Sequence, residues 1–144
     1  MLTDAPLAFV ERIDEAVARP HGQFRARFTD QSTGTASAQF LAEADGRLVG
    51  HAGGMTVGQA PEVSLLYAVY ITPEWRGRGL LRRLVAAVGD WSRQAGRPRL
   101  ELEVVTSNRR AIEAYQRIGF VDTGRRAPHP TIPVLTELVM TRPA

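Results

Sequence analysis

VSLLYAVYITPEWRGRGLLRRLVAAVGDWSRQAG, residues 63–96, decides how the chain is read. It opens on VSLLYAVYI, 63–71, a nearly unbroken apolar run that predicts a strand buried on both faces. From Leu80 to Ala95 the apolar residues recur at 80, 81, 84, 85, 88 and 91, and Gly96 and Pro98 follow. That spacing predicts a helix with a defined stop. RGRG, 76–79, joins the two. A strand, a glycine-rich turn and a helix in succession leave the first helical amides without intrahelical acceptors. Those amides and the positive end of the helix dipole suit an anion such as a pyrophosphate. Gly77 and Gly79 lack a Cβ and admit close approach, and Arg76, Arg78, Arg82 and Arg83 add charge-assisted donors. Taken alone, RGRG reads more readily as an exposed turn with solvated arginines. Neither the dinucleotide fingerprint nor the phosphate-loop pattern is present.

Working outward, SAQFLAEADGRLVGHAGGMTV, 37–57, predicts a hairpin turning at Ala44–Asp45–Gly46–Arg47. Leu7 to Ala18 carries apolar residues at 9, 10, 13, 16 and 17, an amphipathic helix pattern, and 19–37 reads as loop with a short helix. Downstream, Arg99 to Val105 predicts a strand, and Ser107 or Asn108 caps a second helix ending before Gly119. Two strands, Phe120 to Arg125 and Pro133 to Thr141, flank the turn RRAPHPTIP. Strands alternating with helices make the chain α/β with a mixed sheet.

At 144 residues, 44% hydrophobic and 23% charged, the chain is expected to form one globular domain, 1–144. Without cysteine there is no disulfide, thiolate metal site or cysteine nucleophile. No apolar run approaches the roughly 18 residues of a membrane span, so no membrane partner is expected. The N-terminus does not follow the signal-peptide pattern, and the expected location is cytoplasmic. All eighteen basic residues are arginine, yet the net charge is only +3. With few aromatics interleaved among the arginines, nucleic acid is not an expected partner. His21, His51 and His129 show no metal-ligand spacing, and no metal is expected.

Two motifs carry a resemblance. VYITPEWRGRGLL resembles the acetyl-CoA motif of the GNAT-type N-acetyltransferases, Arg/Gln-x-x-Gly-x-Gly/Ala, with Arg76 and Gly79 in its first two fixed positions. Leu81 stands where the family usually has glycine or alanine, which puts bulk near the expected pyrophosphate. About thirty residues on, LEVVTSNRRAIEAYQRIGF, 102–120, resembles the family's second hallmark through Asn108, Ala111, Tyr115, Gly119 and Phe120. The likeness runs from about residue 40 to the end. In its second half it is nearest to bacterial acetyltransferases that modify a ribosomal protein's N-terminus. It implies a six- to seven-stranded mixed sheet flanked by helices, with the central strands splayed into a V-shaped cleft.

The resemblance also implies roles. The backbone of Val69, Tyr70 and Ile71 would pair with the pantetheine arm of acetyl-CoA, and Arg76, Gly77, Arg78, Gly79, Leu80, Leu81 and Arg82 would surround the pyrophosphate. Asn108 would meet the amide arm, although its place also suits a helix cap. Tyr115 would be the general acid that protonates the departing thiolate; a packed core tyrosine is the alternative. Glu101 and Glu103 lie two apart on a strand and share a face, either because that face is wet or because Arg97 and Arg99 are near. The resemblance favours Glu103 as general base.

The implied reaction is direct attack of a primary amine on the acetyl thioester within a ternary complex. Neutralising a lysine ε-amine at pH 7 costs about 4–5 kcal/mol and an α-amine about 1, so one base fits a low-pKa amine better. The acceptor is a small-molecule amine or a peptide or protein amine, with His129 in the last turn as a candidate contact. The alternative within the fold is a catalytically weak or inactive CoA-binding regulatory domain. Homodimers are common in the family, and nothing in the sequence marks an interface.

Overall fold

The computed structural model describes residues 25–29, by their backbone, and residues 36–144. The predicted helix over Leu7–Ala18 lies outside these residues. Within them, seven strands form one sheet in the order β1-β2-β3-β4-β5-β7-β6. The strands are β1 (Arg25–Thr29), β2 (Ser37–Ala44), β3 (Arg47–Val57), β4 (Ala60–Ile71), β5 (Arg99–Val105), β6 (Val121–Pro128) and β7 (Thr136–Pro143). Helix α1 (Leu80–Gln94) links β4 to β5, and α2 (Arg109–Arg117) links β5 to β6. Every pairing is antiparallel except β4 with β5, so the sheet is mixed as expected.

The β2–β3 hairpin forms where its sequence predicts. Asp45 and Gly46 hold positive φ, 52° and 73°, the backbone that a tight primed hairpin turn demands. Helix α1 lies over β2 to β5 and buries Leu80, Leu84, Val85, Val88 and Trp91. They pack with Phe40, Leu66, Leu100, Leu102, Phe120 and Met140 in one apolar core. The glycines of β3 let the helix come this close. A Cβ on Gly54 would stand 2.6 Å from the Trp91 ring, and one on Gly50 would stand 3.0 Å from Leu80.

Three expectations need correction. Arg25–Thr29 is a strand paired to β2, at the edge of the sheet among the described residues, not loop; its backbone pairing outweighs a weak local pattern. β4 is not buried on both faces: Ser64, Leu66 and Tyr70 are buried, while their alternating neighbours stay half-exposed where β5 turns away. The last hairpin is also shifted. β6 continues through Arg126, Ala127 and Pro128 and β7 begins at Thr136, so the turn moves three residues along the chain, to 129–135. An edge strand tolerates Pro128 because the missing N–H faces no neighbour.

Candidate active site

The parallel contact between β4 and β5 is confined to Val63–Arg99, Ser64–Leu100 and Leu65–Glu101. Beyond it β4 stays with β3 and β5 stays with β7, which leaves a widening gap between Leu66–Ile71 and Leu102–Val105. The splayed cleft that the resemblance implied is present.

Polar side chains tie the closed end. Arg97 is buried, donates from Nε to the Ser64 hydroxyl at 2.7 Å and stacks on Trp91 at 4.8 Å. The Ser92 hydroxyl stands 2.7 Å from both the Ser64 oxygen and the Arg97 carbonyl, either of which can take its one proton. Arg97 therefore serves the joint and not Glu101 or Glu103, and Arg99 donates to Thr141.

The open end is shaped by a bulge. His51 pairs with Tyr70 and Gly53 with Tyr67, so one residue of β3 faces two of β4. Ala68, one of the extra pair, takes φ 52°. A left-handed conformation costs a non-glycine residue about 1–2 kcal/mol. His51, wholly buried, meets the Ala68 carbonyl through Nδ1 at 2.8 Å. A net hydrogen bond of about 0.5–1.5 kcal/mol offsets much of that cost.

Past Ile71 the chain makes a 3-10 turn, Pro73–Trp75, anchored by the Thr72 amide on the Val49 carbonyl at 2.9 Å. Arg76 donates to the Ile71 carbonyl at 3.0 Å and lies over Tyr70, fixing the end of β4. Arg78 stacks on Trp75 at 4.9 Å. Gly77 and Gly79 have φ of 75° and 82°, and among the described residues, their chain neighbours aside, no atom lies within 4 Å of where their Cβ atoms would be. That is an open cradle. The first bond entering α1 runs from Arg83 N–H to Gly79 O, and Gly79 offers no side-chain cap. The amides of Leu80, Leu81 and Arg82 thus lack intrahelical acceptors at the mouth of the gap. Leu81 itself packs against the apolar core. This donor set, at a positive helix end beside an open cradle, fits a pyrophosphate.

Asn108 caps α2, its Oδ1 accepting from the Ala111 amide at 3.2 Å, and the residue is exposed. Tyr115 is half-buried, its ring edge-on to Phe120 at 5.6 Å. Burial pushes the Tyr115 phenol above its ordinary range, so it carries its proton at neutral pH. Tyr115 belongs to the side of the sheet where Leu102 and Val104 are buried. Glu101 and Glu103 point to the other side. Glu101 pairs with Arg125 at 2.5 Å, whereas Glu103 is exposed.

Sequence reading missed Glu137. Cross-strand pairing puts it opposite Val105 and on the face of Glu103, and it is only 9% exposed. Burial raises its proton affinity, the Glu103 charge adds to this, and His129 opposes it. No periodic signal in β7 marks it; only the pairing register does. His129 accepts at Nδ1 from the amides of Thr131 and Ile132, both at 3.1 Å, and so holds the last turn in shape. Among the described residues no three His, Asp or Glu side chains cluster to hold a metal ion. Nor is any described helix long and apolar enough to cross a membrane.

The model of the Acetyltransferase (GNAT) family matches residues 7–120. Over 86 residues the chain is 34% identical to the N-alpha-acetyltransferase RimI of Mycobacterium tuberculosis, covering 59% of this chain and 52% of the relative. Over 103 residues it is 33% identical to the aminoglycoside N(6')-acetyltransferase type 1 of Stenotrophomonas maltophilia, covering 60% and 67%. Across the first relatives the match spans only 21% to 52% of their length. Among solved structures, nourseothricin acetyltransferase superposes with a TM-score of 0.70 at 25% identity, covering 90% of this chain and 92% of that one.

Proposed function

The chain belongs to the GNAT acetyltransferase family, and from that premise we propose that it moves an acetyl group from acetyl-CoA to a primary amine. The observation that carries this reading is the gap beyond Leu65 and Glu101, with the unsatisfied amides of α1 at its mouth. Leu80, Leu81, Arg82 and the Gly77–Gly79 backbone would hold the pyrophosphate, with Arg76 and Arg78 beside it. The gap-facing backbone groups of Val69, Tyr70 and Ile71 would take the pantetheine arm. Asn108 keeps an amide N–H₂ for the same arm while its oxygen caps α2.

When bound, acetyl-CoA supplies an activated thioester. The protein's part is to place an acid and a base on opposite sides of it. Glu103, on the wet face of β5, takes a proton from the incoming amine, directly or through water. As the amine nitrogen bonds to the acetyl carbon and the carbon–sulfur bond breaks, Tyr115 on the other face protonates the sulfur. The amine attacks directly within a ternary complex, since no cysteine is present to carry the acyl group. A thiol near pKa 8.5 leaves with little help, which makes Tyr115 an accelerant and not an absolute requirement. The acceptor is a low-pKa amine on a small molecule, peptide or protein, and the site of action is the cytoplasm.

The decisive experiment titrates CoA by calorimetry and then follows thiol release from acetyl-CoA with a panel of amines, among them N-terminal peptides, a polyamine and an aminoglycoside. Saturable binding and turnover with at least one amine are expected. Binding without turnover reduces the protein to a CoA-binding domain, and no binding overturns the reading.

A further inference from the structure

His51 has no part in the chemistry above, yet it is completely buried and reaches across from β3 to the one residue of β4 whose backbone is left-handed. Ala68 lies outside the β3–β4 pairing register, so the ladder provides its carbonyl with no partner at that point. The conformation has no local cause, because alanine, unlike glycine, disfavours φ of 52°. Something outside β4 must hold it, and the imidazole Nδ1 at 2.8 Å from that carbonyl is in place to do so.

The consequence extends three residues. Successive amides of a strand point to alternate edges, and a one-residue slip exchanges them. The extra residue at the bulge therefore decides which amides of Val69–Ile71 face β3 and which face the gap. Were β4 to relax into regular pairing, the amides now aimed at the gap would turn toward β3. We infer that His51 is a positioning residue for the acetyl-CoA arm: its hydrogen bond to Ala68 keeps the β4 bulge and so the orientation of the amides that line the gap. This rests on the reading that the arm of acetyl-CoA lies along β4.

Three variants separate the hydrogen bond from packing. His51→Asn keeps a donor where Nδ1 stands, His51→Gln moves it to the Nε2 position, and His51→Leu removes it. Calorimetry on the full chain should give a CoA Kd raised about tenfold in the Gln and Leu variants, the worth of one buried hydrogen bond. The Asn variant should stay within about threefold of the parent. The acceptor KM should hardly move. Adding Ala68→Gly to His51→Leu should restore most of the lost affinity, because glycine holds φ of 52° unaided. An Asn variant no better than Gln, or no recovery from Ala68→Gly, overturns the inference. If His51→Leu does not fold, the Asn and Gln pair decides. If the parent itself binds no CoA, the functional reading fails separately. Hydrogen exchange at the amides of 69–71 in the ligand-free protein then decides whether His51 holds the bulge: faster exchange in Gln than in Asn supports it, and equal exchange overturns it.

Discussion

The two ends of the β4–β5 pair are built from opposite materials. At the closed end, polar side chains join the strands: Arg97 donates to Ser64, Ser92 meets Ser64 and the Arg97 carbonyl, and Trp91 stacks on the guanidinium. At the open end, the polar groups that face the gap belong to the backbone: the edge of β4 that β5 has left, and the first turn of α1. Side chains specify where the strands must meet, and their divergence past that point is what makes room for a ligand. A cleft of this kind needs no carved cavity, since a parallel pair released after three residues already exposes two strand edges.

The largest expected effect breaks the closed end. Arg97→Ala takes the guanidinium donor from the buried Ser64 hydroxyl and strips the Trp91 stack, a loss of about 2–4 kcal/mol. Denaturant unfolding should show it as a lower midpoint, while CoA affinity of the remaining folded protein changes little. At the open end, Tyr115→Phe should lower kcat by about ten- to a hundredfold with KM for acetyl-CoA nearly unchanged, as single-turnover kinetics can verify. Gly79→Ala sets a Cβ on a φ of 82°, where space is open but the backbone is disfavoured, so CoA Kd should rise about tenfold. A tenfold loss there and none in a Gly58→Ala control would sharpen the contrast between cradle and surface turn.

The smallest effect concerns Glu137. Its carboxyl is held above the ordinary range by burial and by Glu103. The native state thus binds that proton more tightly than the unfolded chain, and stability is lost as pH rises through the native value. Glu137→Gln should accordingly raise Tm slightly at pH 7, with the gain vanishing below the ordinary carboxylate pKa of about 4.3. A gain that persists in acid would place the cause in packing.

Much of the framework was legible because it rests on short-range rules. Asp45–Gly46 announces its own turn, the 3.6-residue period of α1 ends at Gly96, and Asn108 sits three residues before the amide it caps. The parts that escaped depend on register between distant strands. Alanine carries no sign that Ala68 will bulge, and the His51 contact spans seventeen residues. Glu137 joins the face of Glu103 only through the register of β5 with β7. For the same reason the apolar run of β4 misled: apolar residues promise burial only if a neighbouring strand stays beside them, and β5 leaves. The partner of Glu101, Arg125, lies on β6 and no local pattern could name it.

The tight hairpin has a kinetic corollary. Joining Ala44 to Arg47 closes a very short loop, whereas pairing Ser64 with Leu100 must wait for a whole helix between them. Ribbons with short loops zip within microseconds, and crossover pairings are slower. The binding gap is accordingly among the last features to assemble, and pulse-labelled exchange during refolding should find residues 37–57 protected before 99–105.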